Sequence, residues 1–327
     1  SRTRANRFTP SGGRDASFLP RRSDNSSMTR RALLVDAFTQ EPFAGNAAGV
    51  VPDADDLSDS QMQAIASELG ASETAFVRAS DAADRRLRYF TPTEEVDLCG
   101  HATIATHAFL ADDIGEGTHT LETNVGVLDI ELDGETVWMR QNAPEVAKVD
   151  ATHAEVAETL GIRETGLSGL GADLPLARAS TGLPFLMVPV EYLSDLSKMS
   201  PDMAAIETLA AEHDCRGIYA FTFDTLEAES TLHGRCFVPS AGIPEDPVTG
   251  TASGACGAYL DRFGAFDPTP AEMLFEQGHF LDRDGLVRVD ASAATTEGRV
   301  RVGGTAVTAL DGEVQTPADD DDEILEA

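Results

Sequence analysis

The segment Cys99-Gly100-His101-Ala102-Thr103-Ile104-Ala105-Thr106-His107-Ala108-Phe109-Leu110 decides the fold, because the chain carries it twice. Its counterpart is Thr249-Gly250-Thr251-Ala252-Ser253-Gly254-Ala255-Cys256-Gly257-Ala258-Tyr259-Leu260, with the same opening glycine, the same alanine spacing and conservative exchanges at Thr103/Ser253 and Phe109/Tyr259. Internal self-similarity implies two copies of one supersecondary unit. Side chains this small suit a helix enclosed by strands, which can then approach its backbone from several directions.

Outward from the two helices the correspondence continues. Arg88-Tyr89-Phe90-Thr91-Pro92 precedes the first copy and Arg235-Cys236-Phe237-Val238-Pro239 the second, whose intervening loop is three residues longer. Leu33-Leu34-Val35 and Phe185-Leu186-Met187-Val188 read as the opening strand of each half, Ala75-Phe76-Val77 and Ala220-Phe221-Thr222 as the next. Between them, residues 58–69 predict a helix with Ser58 as N-cap, Gln61 completing a capping box, Met62, Ile65, Ala66 and Leu69 on one face and Gly70 as the stop. Its partner near 200–213 is expected to begin at Ser200-Pro201 and to carry Met203, Ile206, Leu209 and Ala210. Leu121 to Met139 predicts a hairpin closing the first half, Gln141 to Pro144 a linker and Val300 to Val307 a late strand. The expected fold class is α+β, with two pseudo-symmetric domains.

The 327 residues are long enough for two domains, and 42% apolar with 24% charged residues is ordinary globular usage. Charge is the unusual feature: 24 Lys and Arg against 56 Asp and Glu give a net charge of −32. Such a field repels phosphate, so nucleic acid and anionic membrane are not expected partners. Self-repulsion of this size is tolerable where salt shortens the Debye length, which predicts a protein of a salty cytoplasm; an acidic surface kept for solubility is the plainer alternative. Cys99, Cys215, Cys236 and Cys256 form neither a disulfide framework nor a CxxC pair, so a reduced, cytoplasmic chain is expected. Residues 1–27 are rich in Arg and Ser without an apolar stretch and are expected to be a disordered or over-annotated extension, and residues 317–327 an acidic tail. No apolar run reaches the roughly 18 residues of a membrane span.

Two similar domains facing each other place a ligand in the cleft between them. The unpaired N–H groups and partial positive charge of two helix N-termini suit a carboxylate, gripped by Gly100 and His101 on one side and by Gly250 and Thr251 on the other. Tight helix entry is the simpler role for the glycines. GxxxxGK[ST], GxSxG and HExxH are all missing, and Lys148 and Lys198 lie in linker-like or helical surface contexts. Neither metal nor cofactor is therefore expected.

Five blocks taken in order resemble the phenazine-biosynthesis PhzF family, within the diaminopimelate-epimerase-like fold: Asp36-Ala37-Phe38 with Gly45-Asn46, Ser72-Glu73-Thr74-Ala75-Phe76, Arg88 to Pro92, Cys99 to Thr103, and Glu245-Asp246-Pro247-Val248-Thr249-Gly250-Thr251-Ala252. Over residues 30–312 the resemblance implies two β-barrel-like sheets, each around a central helix. It divides the chain into an N-terminal domain of residues 28–140 plus about 304–316, whose strand returns, and a C-terminal domain of residues 141–303. It further implies a homodimer and isomerase chemistry on a small-molecule carboxylate without metal or cofactor.

Carried over by motif, Glu73 is the general acid/base, His101 and Asp246 are its catalytic neighbours, Thr251 stands where the pattern has serine, and Asn46 belongs to a Gly-Asn element followed by Ala47 in place of the usual proline. Ser72 is a possible further site residue. The chemistry is sound on its own terms: a base beside a carboxylate-bearing carbon works best with a pKa near the working pH, and an ordinary Glu at about 4.3 approaches that only when buried. Asp246 can protonate, orient or hold His101, and two carboxylates sharing a cleft push one pKa up. The plainer roles are a solvated strand start for Glu73, helix capping for His101 and a turn before proline for Asp246. Cys99 stands where a two-thiol epimerase has one cysteine, but its counterpart is Thr249, so a buried small residue is expected and direct action is the alternative. The expected function is proton transfer between carbons of a small carboxylate, with dihydro-hydroxyanthranilate and amino-acid-like acids both fitting. The alternatives are a carboxylate-binding protein without turnover and a Cys99-dependent racemase or epimerase.

Overall fold

The computed structural model describes residues 29–167 and 174–318. The expected extension at residues 1–27 lies outside them, as do residues 319–327 of the expected acidic tail. The first half forms β1 (Thr29–Ala37), β2 (Asn46–Val51), α1 (Asp59–Leu69), β3 (Glu73–Arg78), β4 (Arg85–Phe90), β5 (Glu95–Val96), α2 (Gly100–Ile114), β6 (Gly117–Thr123), β7 (Gly126–Asp133) and β8 (Thr136–Arg140). Then come β9 (Glu145–Lys148), α3 (His153–Leu160), β10 (Ala177–Ser180), β11 (Pro184–Pro189), α4 (Leu193–Leu196), α5 (Met203–Glu212), β12 (Gly217–Thr222), β13 (Leu232–Val238), β14 (Ile243–Asp246) and α6 (Gly250–Arg262). The chain continues through β15 (Met273–Gln277), β16 (Gly285–Ala293), α7 (Ala294–Glu297), β17 (Arg299–Gly304) and β18 (Ala306–Gln315).

Pairing repeats as the sequence does. β2 and β3 run parallel across α1, and β11 and β12 run parallel across α4 and α5. β4 and β6 are parallel across α2, and β13 and β15 across α6. The remaining neighbours are antiparallel, and β8 pairs with β17, so one continuous sheet runs through both halves. The strand following each half crosses to the other: β9 pairs with β10, and β18 pairs with β1 from Thr29↔Gln315 to Ala37↔Ala306.

Each small-residue helix lies inside its own curl of strands. α2 packs on β1, β2, β3, β8 and β18, and α6 packs on the corresponding β10, β11, β17 and β9 together with β16. Ala102 to His107 and Ala252 to Leu260 are buried without interruption, which only a helix covered on all sides permits. At Gly257 a Cβ would stand 2.5 Å from Val289 Cγ1, so the sheet has closed to backbone distance there.

Most local expectations hold in detail. Ser58 and Gln61 make the reciprocal capping box, and Gly70 is left-handed with its N–H on Ala66 O. Three expectations need correction. The second peripheral helix starts later than Ser200-Pro201, because Asp202 is the N-cap and accepts from the N–H groups of Ala204 and Ala205. The hairpin is a three-stranded meander, since β6 begins before Leu121, at Gly117. The late strand is two strands, broken at Thr305, whose carbonyl accepts the Phe38 N–H.

Candidate active site

Strand and helix ends from both repeats converge where the two halves meet. Glu73 is the first residue of β3, and register pairs it with Ala48, so it stands beside the start of β2 where Asn46 lies. His101 is in the first turn of α2, and its Nε2 is 3.5 Å from Glu73 Oε2 and 3.3 Å from Ser72 Oγ. Cys99, the residue before α2, places Sγ 3.4 Å from His101 Nδ1. The second half supplies Asp246 from the end of β14, where register sets it opposite Cys236 just as Val96 sits opposite Tyr89 in the first half. The duplicated scaffold thus carries unlike chemistry at matching places.

Asp246 is held on both oxygens. Asn46 Nδ2 donates to Oδ1 at 2.9 Å and to Val248 O at 2.9 Å, and the Thr249 hydroxyl donates to Oδ2 at 2.6 Å. Burial pushes the Asp246 carboxyl up from its ordinary value, while His101 and the Thr249 hydroxyl pull it back and the charge of Glu73 pushes it further. The His101 ring thus lies against Glu73 and within electrostatic reach of Asp246. Cys99 is buried as expected, and burial together with the charge of Glu73 drives its thiol well above the ordinary range.

Thr249 and Gln277 were not visible as site residues in the sequence. Gln277, buried at the end of β15, donates through Nε2 to Asp246 O at 2.8 Å and to Thr249 Oγ1 at 3.1 Å, and accepts the Thr249 N–H on Oε1. The available signal was a polar Glu276-Gln277 pair ending the apolar run from Met273 to Phe275, since polar residues that finish a central strand face a partner or a site. Arg283 braces the approach to Asn46, donating to Ala44 O and Gly45 O and pairing with buried Asp36 at 2.7 Å.

The two opening glycines differ. A Cβ on Gly100 meets nothing within 4 Å, whereas one on Gly250 would lie 3.1 Å from the Phe38 ring. Helix packing thus explains Gly250, while Gly100 borders open space. Thr251 stands in the first turn of α6, its hydroxyl near Gly182 and its carbonyl accepting from Thr181. α1, α3 and α5 are closed by Ser58, Thr152 and Asp202, whereas α2 and α6, like the one-turn helices α4 and α7, have no side-chain cap.

Residues 35–312 match the model of the phenazine biosynthesis-like protein family, PhzC-PhzF. The chain belongs to this family. Its relatives include an uncharacterised isomerase of Deinococcus radiodurans, 41% identical over 299 residues that span 87% of this chain and 94% of that protein. The uncharacterised isomerase YfhB of Bacillus subtilis is 37% identical over 284 residues, 84% of this chain and 95% of the relative. A crystal structure of a Bacillus anthracis PhzF-family phenazine biosynthesis protein superposes with a TM-score of 0.81 at 36% identity, covering 88% of this chain and 99% of that one. The PhzF match carries the expected fold class, α+β with epimerase-like halves, across nearly the whole described chain.

Proposed function

We propose that this PhzF-family chain is a cofactor-independent isomerase that moves a proton between carbons of a small carboxylate, with Glu73 as the acid/base. The observation that supports it is the meeting of Glu73 and His101 from one repeat with Asp246 from the other, beside two helix N-termini left uncapped. The names of the relatives, which are isomerases, point the same way.

The Glu73 carboxylate takes a proton from a carbon next to an activating group, and the electron pair left behind spreads onto the substrate carboxylate or an adjacent double bond. The free N–H groups of α2 and α6 oppose the growing negative charge. Glu73 then returns the proton to another carbon of the same molecule, so atoms and charge balance without an external reagent. His101, beside Glu73, orients the base and stabilises its protonated form. The reading includes the homodimer that the resemblance implies and the cytoplasmic setting expected from the cysteine pattern. Among the described residues no helix is long and apolar enough to cross a membrane.

The test is solvent-deuterium incorporation in heavy water and molar salt, using dihydro-hydroxyanthranilate and small amino-acid carboxylates. Exchange by the wild type that is lost in Glu73→Gln, with ligand binding retained, supports the reading. Binding of a panel member without exchange overturns it in favour of a carboxylate-binding protein. Equal loss in Cys99→Ser favours the thiol-dependent racemase.

A further inference from the structure

Glu73, Cys99 and His101 each offer one ligand atom, and all three atoms lie within 4.8 Å of one another. We propose that this trio is an inhibitory binding site for a thiophilic divalent cation of the zinc type, occupied in competition with the carboxylate substrate. Thiolate, imidazole and carboxylate are the three donors zinc accepts, and on a tetrahedral ion with bonds of about 2.0–2.3 Å neighbouring donors stand about 3.3–3.7 Å apart. Cys99 Sγ is 3.4 Å from His101 Nδ1 and 3.9 Å from Nε2, and Nε2 is 3.5 Å from Glu73 Oε2. The third edge, from Cys99 Sγ to the Glu73 carboxylate, is within 4.8 Å.

Access and charge agree with this assignment. The side chains of Glu73 and His101 are 21% and 12% exposed, so an ion reaches them from the cleft, while Cys99 backs the site. Three protein donors leave a fourth position for water, the arrangement of an open zinc site. Glu73 and Asp246 are groups of like sign that act on each other, so a cation entering here offsets their repulsion. The sequence hid the site because one ligand starts a strand while the other two lie on either side of Gly100.

As the metal–sulfur bond forms, the thiol proton leaves to solvent, so affinity strengthens about tenfold per pH unit below the thiol pKa. The inhibitory consequence rests on the proposed role of Glu73, because an ion bound to that carboxylate removes the base. Binding itself does not depend on that role.

Cobalt titration of the full chain in molar potassium chloride tests binding. The expected result is a near-ultraviolet thiolate-to-cobalt charge-transfer band, saturating at one ion per chain. It disappears in Cys99→Ser and weakens at least about tenfold in apparent affinity in His101→Asn. No band in the wild type, or a band unchanged in Cys99→Ser, overturns the proposal. In the exchange assay zinc inhibits the wild type competitively with substrate, and whatever exchange Cys99→Ser retains needs at least about tenfold more zinc for half-inhibition. Cobalt binding through Cys99 with exchange untouched by zinc overturns the inhibitory role and bears against Glu73 as the base. Loss of the band alone leaves the base assignment standing.

Discussion

Asn46 Nδ2 donates to Asp246 Oδ1 at 2.9 Å and to Val248 O at 2.9 Å, so one amide at the start of β2 spends both hydrogens on the opposite half of the molecule. Asp246 is thereby aimed by a residue from the other repeat. Asn46→Ala is expected to lower kcat by about 10²-fold, the cost of a misplaced catalytic group. Asn46→Asp sets a second carboxylate against Asp246 and raises the latter's pKa further, so the acidic limb of its rate–pH profile moves to higher pH. Steady-state exchange rates across pH check both; wild-type rates in Asn46→Ala would remove Asp246 positioning from the mechanism.

Gln277 and Thr249 form the second support of the same carboxylate, and the hydroxyl of Thr249 is the group in contact with it. Thr249→Ser keeps that donor and is expected to retain activity within a few fold, whereas Thr249→Val, equal in size but without the hydroxyl, loses more than about tenfold. Gln277→Met is expected to lower kcat, because the Thr249 hydroxyl that holds Asp246 and the Thr249 N–H at the start of α6 both lose their partner. A parallel change in KM and melting temperature alone would make Gln277 a packing residue.

The duplication was legible because small residues at Ala102, Ala105 and their counterparts reflect a demand of the fold, a helix buried on all sides. Capping at Ser58 was legible because it is local chemistry within four residues. The exchange of β9 and β18 between halves is not a local property: each strand's composition permits either partner, and long-range pairing decides. At the site, motif resemblance reached Glu73, His101 and Asp246, but it could not distinguish a glycine crowded by Phe38 from one bordering open space. Nor could it reach Gln277, whose part follows from β15 ending beside Asp246.

The repeated Arg88 and Arg235 grip Glu95 and Glu245 in matching bidentate pairs, at 2.8 and 2.6 Å in the first half and 2.8 and 2.7 Å in the second. Each pair anchors the strand leading into a central helix. Arg235 also donates to Leu196 O and Met199 O, and both partners of its ion pair are largely buried. Arg235→Met is expected to destabilise by about 3–5 kcal/mol, because Glu245 is left buried and unpaired. Arg235→Met with Glu245→Leu recovers most of that loss, as denaturant unfolding in molar salt will show.

Glu276 gives a pH dependence of defined sign. His233 Nδ1 lies 2.9 Å from it, and the N–H groups of Leu226 and Glu227 donate to its oxygens. Although burial pushes the other way, these bonds hold the carboxyl at about 2 against an ordinary 4.5. A depressed folded pKa means that the stabilisation is complete above about 4.5 and is lost as pH falls towards about 2, an effect on the order of 3 kcal/mol. Glu276→Gln is expected to be less stable than wild type at neutral pH and to show a flatter decline through this window. Parallel stability–pH curves for the two proteins would contradict it.

Salt dependence follows from the imbalance of charge. Arginine is so outnumbered that single guanidinium groups serve two acids: Arg88 binds Asp59 and Glu95, Arg301 binds Glu131 and Asp290, and Arg30 lies against Asp53 and Asp56. Screening weakens these exposed pairs, which lowers stability, but it weakens the mutual repulsion of a −32 surface as well. Surface pairs contribute about 0–1 kcal/mol each, whereas repulsion sums over every unpaired acid, so repulsion wins. The melting temperature is therefore expected to fall as potassium chloride drops below about 0.5 M and to level off towards 1 M, where the Debye length is about 3 Å. Sucrose stabilises by exclusion from the surface without screening, so it separates the two effects. If sucrose at low salt restores the full melting temperature, or if salt leaves it unmoved, repulsion among these acids is not what limits folding.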